Sequence, residues 1–264
     1  MQPCGIITIT TDFGHKGPFA AVMKGVILRR FAAARVIDLT HDIPAQWPPE
    51  AGFWVRHAYR FFPPGSVHVA IVDPGVGTER DILLVDYDEH LFMAPDNGLL
   101  GSLLDVAENP AVYHLDANRL PELGISEPSA TFHGRDIFAP VAAEFAAGRL
   151  DIADIATPTA DWTPGWLDDP DVGDARVTGS IVTVDAFGNL ISNIEAGMIV
   201  GIDKPRAHIG GHVVPMLTTY GRARPGDYLA LVNSFGVIEI AKAEGSAAES
   251  LGLERGAPVT ISAG

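Results

Sequence analysis

The chain has 264 residues, 47% of them hydrophobic and 19% charged, enough for one large or two modest globular domains with a sizeable core. Its 33 acidic residues outweigh 18 basic ones for a formal charge of −15, and no run of Lys or Arg is present, which argues against a nucleic-acid partner. A single cysteine, Cys4, excludes an intrachain disulfide and a thiolate metal cluster, and no apolar run approaches the ~20 residues of a membrane span. The start "MQPCGIITITTDFG" lacks the basic and long apolar stretches of a leader, so the expectation is a cytoplasmic protein with no membrane partner.

In chain order, "IITITT" (6–11) is a short β-branched strand that ends at "DFGHKGP". "FAAVMKGVILRRF" (19–31) has helical spacing of apolar residues, "ARVIDL" (34–39) is a second strand, and "PPEAGFWVRHAYRFF" (48–62) a helix with Pro near its start. "VHVAIVD" (67–73) makes a third strand, and "DILLVDY" and "LFMAPDN" two more, followed by a helix from "GLLGSLLDVA" and another over 135–148. Strands alternating with helices predict an N-terminal α/β domain over residues 1–150 with a largely parallel sheet. Residues 151–173, rich in Asp, Pro, Thr and Gly without a clear period, read as a linker. Over residues 174–264 the runs turn short and alternating between Gly, Pro and Asn turns, which predicts a smaller all-β barrel domain.

Ligands of open parallel sheets sit beyond the carboxyl ends of the strands. Three polar stretches fall there: "TTDFG", "DLTHDIP" and "VDPGVGTER". The last resembles a phosphate loop but carries no GxxxxGK[ST], and no GxSxG elbow supplies a covalent nucleophile. Asp12, Asp38, His41, Asp42, Asp73, Asp96 and His133 could ligate a metal, yet no HxH or HExxH pair occurs, so no metal is expected. What remains is Asp73 and Arg80 on one short loop and His133 at another loop-to-helix entry. Together these types can hold and polarise one water: the imidazole titrates near neutrality, the carboxylate orients donors, and the guanidinium favours developing hydroxide. On spacing alone, an Asp73–Arg80 ion pair pinning the loop, with His133 capping a helix, is the simpler reading.

The ordered set "TTDFG", "HDIP", "VDPGVG…R", "APDNGLL", "TFHGRDIFAP", "DxFGNLISNI" and "NSFGxIEIA" resembles the S-adenosyl-L-methionine (SAM) hydroxide adenosyltransferases, adenosine-forming hydrolases related to fluorinase and chlorinase. The resemblance covers nearly the whole chain. It implies an N-terminal α/β domain, a C-terminal β-barrel, and a homotrimer with active sites between subunits. It also implies SN2 attack of water-derived hydroxide on ribose C5′ of SAM, giving adenosine and methionine with no cofactor, since SAM is the substrate.

By the same resemblance Asp73, Arg80 and His133 are the hydroxide triad, and Asp12 accepts hydrogen bonds from the ribose hydroxyls. Trp47 walls the ribose and sulfonium, Asn97 shapes the pocket, Asp185 holds the methionine ammonium, Phe187 and Asn189 meet the adenine, and Ser234 meets the methionine carboxylate. The loop glycines would let backbone approach the ribose. Two departures stand out. Phe235 follows Ser234 where the halogenases carry an arginine, and Gly134 follows His133 where the fluorinase carries a halide-binding serine. The second, beside an intact triad, argues against fluoride as nucleophile. A chlorinase-like enzyme and a non-catalytic adenosine- or SAM-binding protein are the competing readings.

Overall fold

In the computed structural model, which describes residues 2–264, two compact units divide at Leu167 and Asp168. The first unit runs β1 (Ile6–Thr11), α1 (Phe19–Arg30), β2 (Arg35–Thr40), α2 (Pro48–Ala58), β3 (Val67–Ile71), β4 (Ile82–Tyr87), β5 (His90–Pro95), α3 (Gly101–Leu104), β6 (Ala111–Leu115), α4 (Ala139–Ala146), α5 (Ile152–Ile155) and β7 (Ala156–Pro158). Pro48 and Pro49 open α2, where the missing N–H groups are no loss, and Arg29 and Arg30 close α1 against its negative dipole end.

The seven strands lie in the order β2-β1-β3-β5-β4-β6-β7. The first four pair in parallel and the rest antiparallel, so the sheet is mixed rather than largely parallel. The switch comes from the β4–β5 hairpin, whose two-residue turn, Asp88 and Glu89, has φ of 51° and 62°. Neither residue is glycine, so the usual sequence signal for such a turn is missing. The expected linker also differs: within 151–173, α5 forms and β7 pairs with β6 at the sheet edge.

Apolar cores cover both faces. Val67, Val69 and Ile71 of β3 point into one with Met23 and Ile27 of α1 and Phe138, Val141 and Ala142 at α4. Ala70 and Val72 point into the other with Ala51 and Val55 of α2 and Leu103 of α3. Each large side chain so buried contributes about 1.5–3 kcal/mol. The covered central strand reads as a continuous buried run for this reason. Its carboxyl end, with those of β1, β2 and β5, forms one edge from which the site loops spring.

The second unit is antiparallel: β8 (Asp171–Gly173), β9 (Arg176–Val184), β10 (Leu190–Glu195), β11 (Arg206–Ile209), β12 (His212–Pro215), β13 (Tyr228–Val232), β14 (Val237–Lys242), α6 (Ala247–Leu251) and β15 (Pro258–Ser262). Their main path is β12-β11-β15-β9-β10-β14-β13, with β8 pairing β9 at the side. A bridge between Met216 and Ala230, with Leu217 N–H donating to the Ala230 carbonyl at 2.8 Å, joins the ends into a nearly closed barrel. Val177, Ile181, Leu190, Ile194, Ile240 and Val259 fill it.

Candidate active site

The loop after β3 folds back through two consecutive turns. Val76 N–H donates to the Asp73 carbonyl at 3.3 Å and Thr78 N–H to that of Gly75 at 3.1 Å. Residue 80 thereby returns to residue 73. Arg80 Nε donates to both Asp73 oxygens at 3.1 and 3.0 Å, and Nη2 to Oδ2 at 2.5 Å. Nη2 also lies 3.1 Å from His133 Nδ1. A guanidinium only donates, so Nδ1 accepts and the neutral imidazole carries its proton on Nε2. Burial, and then the Arg80 charge, hold the His133 imidazole below its ordinary range. Both ion-pair side chains are largely shielded, Asp73 at 6% and Arg80 at 11% exposed. Asp73, Arg80 and His133 are thus a contiguous chain rather than an isolated ion pair.

Two glycines set that geometry. Gly77 has φ of 78°, and a Cβ there would overlap the Ala130 carbonyl. The loop glycine therefore admits the neighbouring 128–132 segment; the neighbour recorded at this position is protein, not the ligand-facing space expected from sequence. His133 stands at the start of a single π-helical turn, Gly134–Phe138, that leads into α4. A Cβ at Gly134 would lie 3.1 Å from Met23 Sδ and 3.2 Å from the Phe132 ring. Asp136 anchors the turn: it accepts from Ser129 N–H at 2.9 Å and from Arg135 at 2.5 and 2.8 Å, and these bonds, Arg135's foremost, hold its carboxyl down to about 2.

Asp12 follows β1, next to β3, and Asn97 follows β5 on the other side of β3. Asp12 Oδ2 accepts from Gln46 N–H at 2.9 Å. Trp47, half-buried, meets the Trp166 ring edge-on at 6.0 Å. Asn97 Nδ2 donates to the Val72 carbonyl at 2.8 Å and Oδ1 accepts from Leu99 N–H at 3.2 Å. Its side chain fixes the strand end beside Asp73, which is the turn-forming alternative its "DNG" context suggested. Among the described residues, no group of three or more His, Cys, Asp or Glu is arranged to hold a metal ion.

In the second unit Asp185 closes the turn after β9. Oδ1 accepts from the N–H groups of Phe187 and Asn189, both at 2.9 Å, and Oδ2 from Asn189 Nδ2 at 3.0 Å. The turn leaves the Phe187 ring 79% exposed and Asn189 buried. Phe187, Asn189 and Tyr220 line a pocket of about 600 Å³ with Lys242 and Ser246. Tyr220 Oη donates to Glu239 Oε1 at 2.6 Å, and Asn233 Nδ2 to Oε2 at 3.3 Å. Burial raises the Glu239 carboxyl, and the Asp185 charge adds to it; burial and the Glu239 bond raise the Tyr220 hydroxyl. Ser234 and Phe235 sit on the exposed turn that Asn233 closes through Oδ1, which accepts from Phe235 N–H at 2.9 Å.

Tyr220, Asn233 and Glu239 were missed from sequence. One signal was available: Glu239 interrupts an otherwise apolar buried run in "VIEIA". Thr11 and His41, joined Oγ1 to Nδ1 at 2.8 Å beneath the Asp12 loop, were also missed as a pair.

Residues 7–156 match the SAM hydroxide adenosyltransferase N-terminal domain and residues 179–260 its C-terminal domain. The (R)-S-adenosyl-L-methionine hydrolase of Salinispora tropica is 35% identical over the full length of both chains. The enzyme of the same name from Thermus thermophilus is 34% identical over 95% of this chain and 97% of the relative. A conserved protein of Thermotoga maritima has a crystal structure similar to this one, with a TM-score of 0.88, 32% identity, and coverage of 97% of this chain and 99% of the other.

Proposed function

The chain belongs to the SAM hydroxide adenosyltransferase family, and on that premise we propose that it is an enzyme hydrolysing SAM to adenosine and L-methionine. A water that gives its proton up to solvent becomes the hydroxide that attacks ribose C5′ and displaces methionine in one SN2 step. The sulfonium leaves as a neutral thioether, so the leaving side needs no general acid. The demanding task is to hold hydroxide, because water has a pKa of about 15.7 in bulk.

One observation carries this reading: Asp73, Arg80 and His133 form a single hydrogen-bonded chain at a sheet edge. Asp73 fixes the guanidinium, and Arg80 fixes the imidazole tautomer. The remaining Arg80 N–H groups and His133 Nε2–H are then preorganised donors for an anionic oxygen in a shielded setting, where such donors act most strongly. In-line placement against the C5′–S bond supplies much of the remaining barrier reduction.

The other roles belong to the same proposal. Asp12 takes the ribose hydroxyls through the oxygen not held by Gln46, and Trp47 lies beside the sulfonium, a favourable setting for a cation. Asp185, Phe187, Asn189 and Ser234 serve the methionine and adenine ends, and Asn97 holds the loop. Assembly as a homotrimer, which light scattering would read, and chemistry without a metal, which a chelator would leave unaffected, complete it.

The test is incubation with SAM in ¹⁸O-labelled water. Adenosine labelled at the 5′ oxygen, with methionine in equal amount, is expected. Unlabelled adenosine, or 5′-halo-5′-deoxyadenosine on adding chloride, overturns the reading. So does tight adenosine binding with no turnover.

A further inference from the structure

The buried face of the β2–α2 loop carries a polar chain that the triad does not use. His41 is 1% exposed and Thr11 fully buried. Thr11 Oγ1 accepts from Phe13 N–H at 3.2 Å and lies 2.8 Å from His41 Nδ1. The hydroxyl can accept twice and donate once, so either tautomer of the His41 ring completes this bond. Nε2 sits 3.0 Å from Asp38 Oδ1, an electrostatic contact rather than an aligned hydrogen bond. Asp38 Oδ2 in turn takes Lys24 Nζ at 2.5 Å. A buried imidazole held through Nδ1 cannot turn without leaving the Thr11 hydroxyl unmatched in a dry interior.

The consequence falls on Asp12, the residue between Thr11 and Phe13. The backbone on its two sides is tied to the same loop: Gly14 N–H donates to the His41 carbonyl at 2.8 Å and Ile43 N–H reaches the Thr11 carbonyl at 3.4 Å. Its own Oδ2 is tied to Gln46 N–H, where Gln46 adopts φ of 59°. His41 is the one side chain in this set that grips the Asp12 strand end from below. Gln46 is followed directly by Trp47, so one loop sets the approach of both residues.

We propose that His41 is a positioning residue for Asp12, acting through the Thr11 hydroxyl, and that it fixes the preference for a ribonucleoside over its 2′-deoxy counterpart. The proposal rests on the reading that Asp12 accepts the ribose hydroxyls. A carboxylate receiving such a bond discriminates only while its oxygen is held in place, and a charge-assisted bond is worth about tenfold or more in affinity.

The experiment measures adenosine and 2′-deoxyadenosine affinities by calorimetry on the full chain, with circular dichroism to check the fold. Wild type is expected to favour adenosine at least about tenfold, and Asp12→Ala to remove that preference. Failure of either result overturns the ribose reading itself. Given both, His41→Leu and Thr11→Val are expected to bring the ratio to within about threefold of unity, while His41→Asn, whose Oδ1 stands where Nδ1 does, keeps it. Thr11→Val preserves the shape of the side chain and so decides the matter if His41→Leu does not fold. Equal weakening of both nucleosides in these two variants, with the ratio kept, marks a merely structural role and overturns the proposal, as does loss of the preference in His41→Asn.

Discussion

Replacing Gly77 by alanine attacks the triad without touching any of its members. The residue has φ of 78°, where an L side chain costs about 1–2 kcal/mol. The added methyl would lie 3.0 Å from the Ala130 carbonyl carbon and 3.3 Å from its Cα, nearer still to its oxygen, where ordinary contact starts at 3.4 Å. Overpacking of this kind costs about 1–3 kcal/mol, so the sum is about 2–5 kcal/mol. The contact can be relieved only if the 73–80 loop and the 128–132 segment separate by about 1 Å, and a misplacement of that size at a reacting group costs on the order of 10²-fold in rate. The separation would stretch the 3.1 Å bond between Arg80 Nη2 and His133 Nδ1 beyond hydrogen-bonding range. Steady-state assay of adenosine release should show kcat down by about 10²-fold, and thermal unfolding should show a fall of about 2–4 °C per kcal/mol. A lowered melting temperature with kcat within a few-fold of wild type would refute the claim that this contact sets the triad.

The His133 imidazole is held below its ordinary range by burial and by Arg80. Its protonation, which would put a second donor against Arg80, should therefore switch activity off on acidification, and the midpoint of the acid limb of kcat/KM should lie below about 6.5. Arg80→Lys keeps the charge but not the fork that reaches Asp73 and His133 together, and kcat should fall by about 10²–10³-fold; adenosine affinity, read by calorimetry, should stay near wild type. Glu239 has a folded-state carboxyl raised above its unfolded value, so the stability it lends is complete below the unfolded value and is lost as pH rises through the folded one. The melting temperature of wild type minus that of Glu239→Gln should accordingly fall between pH 4 and pH 8, and a constant difference would contradict the burial argument. Asn97→Ala frees the Val72 carbonyl and should cost about 1–3 kcal/mol in chemical denaturation.

Much of the fold was legible because its determinants are local. The β-branched run 6–11 could only be a strand, and Pro48 marks where α2 begins. The hairpin at Asp88 and Glu89 was illegible because ordinary residues there adopt the left-handed conformation under tertiary constraint. The short pairing of β7 in a Pro- and Asp-rich stretch was hidden for a similar reason, since its partner β6 supplies what its composition lacks. At the site, Asp73, Arg80 and His133 were readable as residue types, but spacing alone favoured a simple ion pair. Only the fold brings His133, 53 positions along the chain from Arg80, to its guanidinium. The Thr11–His41 and Tyr220–Glu239 pairs, 30 and 19 positions apart, carry no sequence motif at all.

The turn at Asp185 separates two duties that proteins often load onto one residue. Asp185 and Asn189 hold its backbone, while the Phe187 ring stands largely in solvent in this chain. A residue with no share in the architecture can mutate with little penalty, since exposed substitutions away from such anchors usually change stability by no more than about 0.5 kcal/mol. Phe187 is therefore a position where binding can be altered while the barrel endures. A library randomised at that one codon should yield mostly folded protein, whatever it does to adenosine affinity.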